Sequence, residues 1–223
     1  MLTGLVKLLV PACLFLSLVA FSACATAGGG SGANGESAKG SVSSGIDPKG
    51  EVTRAFRNQS TRPYRLRETT TMSGPGGTNS FSRVLEVVPP DRFHATMDNY
   101  ETISIGDDHY EKSDGKWSRG SGLGRKNVSR EAGEQFLRQI EAGNLAITYI
   151  GRDTVDGKPS RLYQMTGAMK FGTTEIKGEY KIWLSATEDA PIKTHAKSEA
   201  PYVMESVLTY EYDPGIKIEA PIP

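Results

Sequence analysis

From Tyr64 to Tyr212 the chain is written in short runs of alternating apolar and polar residues, cut apart by turn dipeptides. Side chains alternate between the two faces of a strand, so each run has one oily side and one wet side. Tyr64 and Leu66 alternate with Arg65 and Arg67, and Phe93, Ala95 and Met97 alternate with polar neighbours. Ile103 and Ile105 alternate with Thr102 and Ser104; Leu145, Ile147 and Tyr149 share a face, as do Tyr180, Ile182 and Leu184, and again Met204, Leu208, Tyr210 and Tyr212. The punctuation between runs is Pro75-Gly76-Gly77, Pro89-Pro90-Asp91, Gly106-Asp107-Asp108, Asp114-Gly115, Asp156-Gly157, Glu188-Asp189-Ala190-Pro191 and Asp213-Pro214-Gly215. Asp-Gly pairs suit two-residue hairpins, and strands joined so tightly must run antiparallel. The predicted strands are 64–73, 80–88, 92–97, 101–105, 109–112, 116–119, 145–150, 161–171, 179–185, 192–197, 203–212 and 216–220.

Two helices interrupt this pattern. Asp47 as cap and Pro48 in the first turn start one, with Val52, Ala55 and Phe56 as its apolar stripe and Pro63 beyond its end. The second covers 129–142, with Ser129 as cap, Glu131 and Glu134 near its positive end, and Gly143-Asn144 as its stop. Its stripe is Ala132, Phe136, Leu137 and Ile140, so it must lie on something apolar. Many strands with so little helix, and no strand–helix alternation, predict a mainly β, α+β fold whose large antiparallel sheet coils strongly or closes.

Catalytic signals are lacking. His94, His109 and His195 stand in no metal-ligand spacing. The paired carboxylates Asp107-Asp108 and Glu188-Asp189 lie in turns, where Asp serves the backbone. The glycine-rich stretch 120–127 lacks the Lys-Ser/Thr ending of a phosphate-binding loop. Hence no catalytic residue, metal or cofactor is expected. Basic and acidic residues balance at 26 each, so no global field draws the chain to nucleic acid.

The first residues form an export signal: Lys7, a mostly apolar run from Leu8, then Phe21-Ser22-Ala23-Cys24. That ending resembles a bacterial lipobox with Phe in place of the usual Leu, which makes Cys24 the expected site of lipid attachment. An ordinary secretory signal cut near Ala23 and an uncleaved anchor remain the alternatives. Residues 25–45 are almost wholly Gly, Ser and Ala, the composition of a flexible tether. The expected organisation is therefore a signal over 1–23, a tether over 24–46 and one domain over 47–223. Cys13 leaves with the signal and Cys24 carries lipid, so no disulfide is expected.

Three stretches carry a family resemblance. ETISIGDDHYEKSDGKWSR (101–119) resembles a hairpin of the LolA/LolB-like and LppX/LprG-like bacterial lipoprotein carriers, IWLSATEDAPIK (182–193) resembles one of their strand–turn segments, and 210–223 is similar to their closing strand. The resemblance spans 48–223 in the expected order. It implies an unclosed, curved antiparallel half-barrel with helices over its mouth and an apolar cavity for acyl chains. It also implies a non-enzymatic envelope lipoprotein working in lipid or lipoprotein trafficking, or an envelope sensor or protein-interaction module on the same fold with a filled core. The expected partners are an acyl ligand, the membrane through lipidated Cys24, and an envelope protein. Ala25 after the cysteine points to the outer membrane's periplasmic face or the cell surface ahead of the inner membrane. Cavity and lid candidates are Leu66, Phe93, Met97, Ile105, Phe136, Leu137, Ile140, Leu145, Ile147, Met165, Met204 and Leu208. Methionine among them suits a surface that accepts flexible chains. No stretch matches the protruding hydrophobic loop that membrane-inserting members of that group use; residues 120–127 offer only Leu123.

Overall fold

The computed structural model describes residues 45–222 apart from 75–76, 99, 121–127, 172–173 and 201–202. The expected signal, lipobox, most of the tether and nearly all of the glycine-rich stretch fall outside the described residues. The rest builds one sheet of 11 strands: β1 (Tyr64–Gly74), β2 (Gly77–Val88), β3 (Arg92–Met97), β4 (Tyr100–Ile105), β5 (Asp108–Ser113), β6 (Lys116–Arg119), β7 (Leu145–Val155), β8 (Lys158–Phe171), β9 (Thr174–Ser185), β10 (Pro191–Ala200) and β11 (Val203–Tyr212). The helices are α1 (Pro48–Gln59) and α2 (Val128–Glu141).

Strand order is β6-β5-β4-β3-β2-β1-β11-β10-β9-β8-β7, and every neighbouring pair is antiparallel. Two meanders thus meet at β1 and β11. The chain leaves one edge at β6, passes through α2, and re-enters at the opposite edge as β7. The sheet does not close, which makes it the expected half-barrel. Hairpin chemistry sets its register: Asp114-Gly115 joins Ser113↔Lys116 and Asp156-Gly157 joins Val155↔Lys158, with all four turn residues at positive φ. Glycine also lets the backbone approach closely where the sheet bends. A Cβ on Gly178 would lie 2.3 Å from the Lys197 carbonyl oxygen.

Several strands outrun their predicted limits. β7 continues past Gly151 to Val155, because a register shift between Tyr149 and Gly151 absorbs the glycine as a bulge. The predicted strand 216–220 does not form. Ile216 and Ile218 are buried, but they lie against the sheet without joining its ladder.

Helix α1 starts where Asp47 caps it by accepting from Gly50 N at 3.0 Å. Val52 and Ala55 are fully buried beside Ile140 of α2 and Tyr163, Ile182 and Leu184 of the sheet. A polar latch holds its other flank. Asp189, in the turn before β10, accepts from Arg54 Nε at 2.5 Å and from Arg161 Nη2 at 3.1 Å. Asn58 donates to the Asp189 backbone carbonyl at 3.1 Å. Glu51 accepts from the Tyr163 hydroxyl and from Arg161.

Candidate ligand-binding face

Cross-strand register fixes which residues share the helix-bearing inner face. One row runs Met97–Arg83–Glu68–Leu208–Thr194–Ile182–Tyr163–Tyr149 from β3 to β7. The next runs Thr70–Ser206–Ala196–Tyr180–Met165–Ile147, and a third Met72–Met204–Ser198–Gly178–Gly167–Leu145. Eight of the twelve cavity candidates therefore point to one side: Leu66, Phe93, Met97, Leu145, Ile147, Met165, Met204 and Leu208.

The inner face divides into two unequal halves. Over β7–β10 the helices pack down, and Phe136, Ile140, Leu145, Ile147 and Met165 join their cluster. Phe136 meets Phe56 of α1 edge-on with centroids 5.0 Å apart. Leu137 is only half-buried. The other half centres on Leu66, Leu85 and Val87, with Tyr64, Phe93, Ala95, Leu208 and Tyr210 packed against them. Every member of that cluster comes from β1, β2, β3 or β11, and among the described residues no helix residue belongs to it.

Ile105 is on the wrong side to line this face. The register Ala95↔Thr102 puts Thr102 and Ser104 inward, so Ile103 and Ile105 face outward. There they pack with Tyr110, Trp117 and Val88 against Ile216, Ile218 and Ile222, forming a second small core outside the sheet. Alternation identifies two faces, but it does not say which is inner, and the chain's last segment covers the outer one here.

In the middle of this second half sits a feature that apolar pattern-reading misses. Arg83 Nη2 donates to Glu68 Oε2 at 2.7 Å, and both side chains are 2% exposed. Thr70 Oγ1 donates to Glu68 Oε1 at 2.9 Å and lies 2.7 Å from Ser206 Oγ. Among the described residues, Arg83 Nε and Nη1 have no hydrogen-bond partner. Burial pulls the Arg83 guanidinium below its ordinary value, and Glu68 opposes that without cancelling it. Burial also pushes the Tyr64 hydroxyl well up and the Tyr210 hydroxyl to about 12, so both stay neutral at pH 7. Continuing the alternation from Leu66 to Glu68, and back from Leu85 to Arg83, would have flagged opposite charges at inward positions.

The histidines contact separate carboxylates. His94 bridges Glu86 at 3.1 Å and Glu101 at 2.9 Å, His195 meets Glu205 at 2.7 Å, and buried His109 lies 2.9 Å from both Ser104 and Glu111. Among the described residues no cluster of His, Cys, Asp and Glu is arranged to hold a metal ion. Outer-face charges instead link strands in a ladder, Glu211–Arg65–Glu86–His94–Glu101–Lys112.

No family model matches the sequence, and no curated protein matches it. Solved structures do. LprF from Mycobacterium bovis superposes with a TM-score of 0.54 at 10% identity, covering 79% of this chain and 97% of that one. The lipoprotein LppX of Mycobacterium tuberculosis gives a TM-score of 0.51 at 12% identity, covering 77% and 97%. The chain thus has the fold of LppX and LprF, as its hairpin and strand–turn motifs led one to expect.

Proposed function

We propose that this chain is a cell-envelope lipoprotein, anchored through Cys24, that binds an acylated or otherwise apolar ligand on the inner face of its half-barrel and serves lipid or lipoprotein trafficking. The observation that carries this reading is the division of that face. The helices pack on one half, whereas the cluster around Leu66, Leu85 and Val87, each 5% exposed, draws among the described residues on one sheet face alone. An acyl chain laid there gains about 0.8 kcal/mol per buried methylene, which a chain of ordinary length turns into micromolar or tighter binding after the cost of association. Affinity of this kind needs no bond to be made or broken, so we assign binding and no catalysis. Of the candidates, Leu66, Phe93, Met97 and Leu208 are the contact residues. Phe136, Leu137 and Ile140 act as lid residues, reached by a ligand only if α2 moves.

The test is native mass spectrometry of the protein purified from its own host, followed by uptake of a fluorescent fatty-acyl probe. Bound lipid in the first and saturable uptake in the second are expected. A protein that carries no lipid and takes up no probe would refute the carrier reading and leave a sensor or protein-interaction module with a filled core.

A further inference from the structure

Buried ion pairs persist where every donor and acceptor finds a partner, and an orphaned N–H in such a place costs about 1–3 kcal/mol. The Glu68–Arg83 pair satisfies one side only. Both carboxylate oxygens of Glu68 accept, one from Arg83 Nη2 and one from the Thr70 hydroxyl. The guanidinium spends only Nη2, while among the described residues Nε and Nη1 reach no acceptor although the side chain is 2% exposed. In register the pair lies between Met97 and Leu208, with Leu66, Leu85 and Tyr210 beside it. An apolar face thus carries one cluster of unspent donors at its centre.

Charge decides what those donors suit. Arg83 and Glu68 cancel, and Tyr64 and Tyr210 beside them are neutral. A carboxylate or phosphate brought here would leave a buried net negative charge without a second cation, which costs several kcal/mol. A neutral group that accepts without donating meets no such cost. Resting on the carrier reading above, we propose that Arg83 donates through Nε and Nη1 to the ester carbonyl oxygens of a neutral acyl ester. The ligand of this face is then an esterified lipid in preference to a free fatty acid. A fatty acid must first take up a proton to enter as a neutral group, a loss of about tenfold for every pH unit above its carboxyl pKa.

The full chain is incubated with vesicles of an ether-linked phosphatidylcholine holding equal amounts of methyl oleate and oleic acid, recaptured, and its bound lipid is quantified by mass spectrometry. The wild type should hold methyl oleate over oleic acid by tenfold or more. Removing Arg83 alone would strand a buried carboxylate and risk unfolding, so the pair is replaced together as Glu68→Leu with Arg83→Met, which keeps volume and cancels both charges. That variant should melt normally, still bind lipid, and lose the preference. Glu68→Gln leaves Arg83 uncompensated and should turn the preference toward oleate, a change that no merely structural role predicts. Equal uptake of the two lipids by the wild type, or an unchanged ratio in the double variant, overturns the assignment to Arg83 and leaves the carrier reading standing. No lipid of either kind on any variant overturns both.

Discussion

Replacing Asp189 with asparagine removes one charge from the latch that holds α1 to the sheet, and nearly nothing else. The carboxylate accepts from Arg54 at 2.5 Å and from Arg161 at 3.1 Å, with the Arg54 side chain 54% exposed and that of Arg161 26%. An exposed pair contributes about 0–1 kcal/mol, so Arg54 adds little despite its short contact. The better-buried Arg161 contact falls in the range for hydrogen bonds to charged groups, about 1.5–3 kcal/mol, of which the asparagine oxygen retains part. The net loss should be about 1–2 kcal/mol at pH 7, a fall in Tm of roughly 3–6 °C for a domain of this size. The pH dependence gives the sharper check. Hydrogen bonding from Arg54 holds the Asp189 carboxyl below the usual carboxylate range, against the opposing effect of burial. A group depressed in the folded state contributes stability above its unfolded value, about 3.9, and loses it as pH falls through the lower folded value. The Tm gap between wild type and Asp189→Asn should therefore be full at pH 7 and close below about pH 4. Thermal melts from pH 7 down to pH 3 measure the gap, and hydrogen exchange should place the loosening in α1. A gap that stays constant across that range, or none at pH 7, would show that the latch contributes packing and no electrostatics.

Three further perturbations separate the parts of the molecule. Gly178→Ala should cost about 1–3 kcal/mol or more, since its Cβ would lie 2.3 Å from the Lys197 carbonyl oxygen, and it should weaken β9–β10 protection in hydrogen exchange. Ile218→Ala should lower stability by about 2–5 kcal/mol in urea melts by hollowing the outer core, while acyl-probe uptake in the folded fraction stays unchanged. Cys24→Ser should abolish metabolic labelling with palmitate and release the protein from the membrane fraction, an outcome that tests the lipobox independently of the fold.

What could be read before folding was whatever local chemistry dictates. Both Asp-Gly hairpins, the Asp47-Pro48 helix start and the stripe of α2 all follow from contacts within a few residues. Pairing between β1 and β11 lies outside that reach, because it joins residues some hundred and forty positions apart through nothing but matching faces. The end of the chain shows the limit in one place. Ile216 and Ile218 alternate as a strand would, yet they bury themselves on the outer face of the β4–β6 sheet edge, and they cover the Ile103 and Ile105 side chains that the β3–β4 register turns outward. Two local readings thus failed at one contact.

The polar centre of the inner face escaped notice for a different reason. A search for oily stripes stops at the first charge, and β1 reads as apolar only as far as Leu66 before reaching Glu68. Continuing the period would have placed Glu68 and Arg83 inward, at positions where charged residues almost never sit unless paired. Their opposite signs, fifteen residues apart across one hairpin, were the signal available. A pure filler core would be better served by leucine at both positions, since a buried ion pair exchanged for apolar residues of similar volume often gains stability. Retaining the pair, with its cationic half left short of acceptors among the described residues, fits the acyl ester proposed for this face. The same reasoning explains why Met97 and Leu208, nominated for their oiliness alone, flank the pair in register. They supply the apolar walls on either side of the Arg83–Glu68 pair.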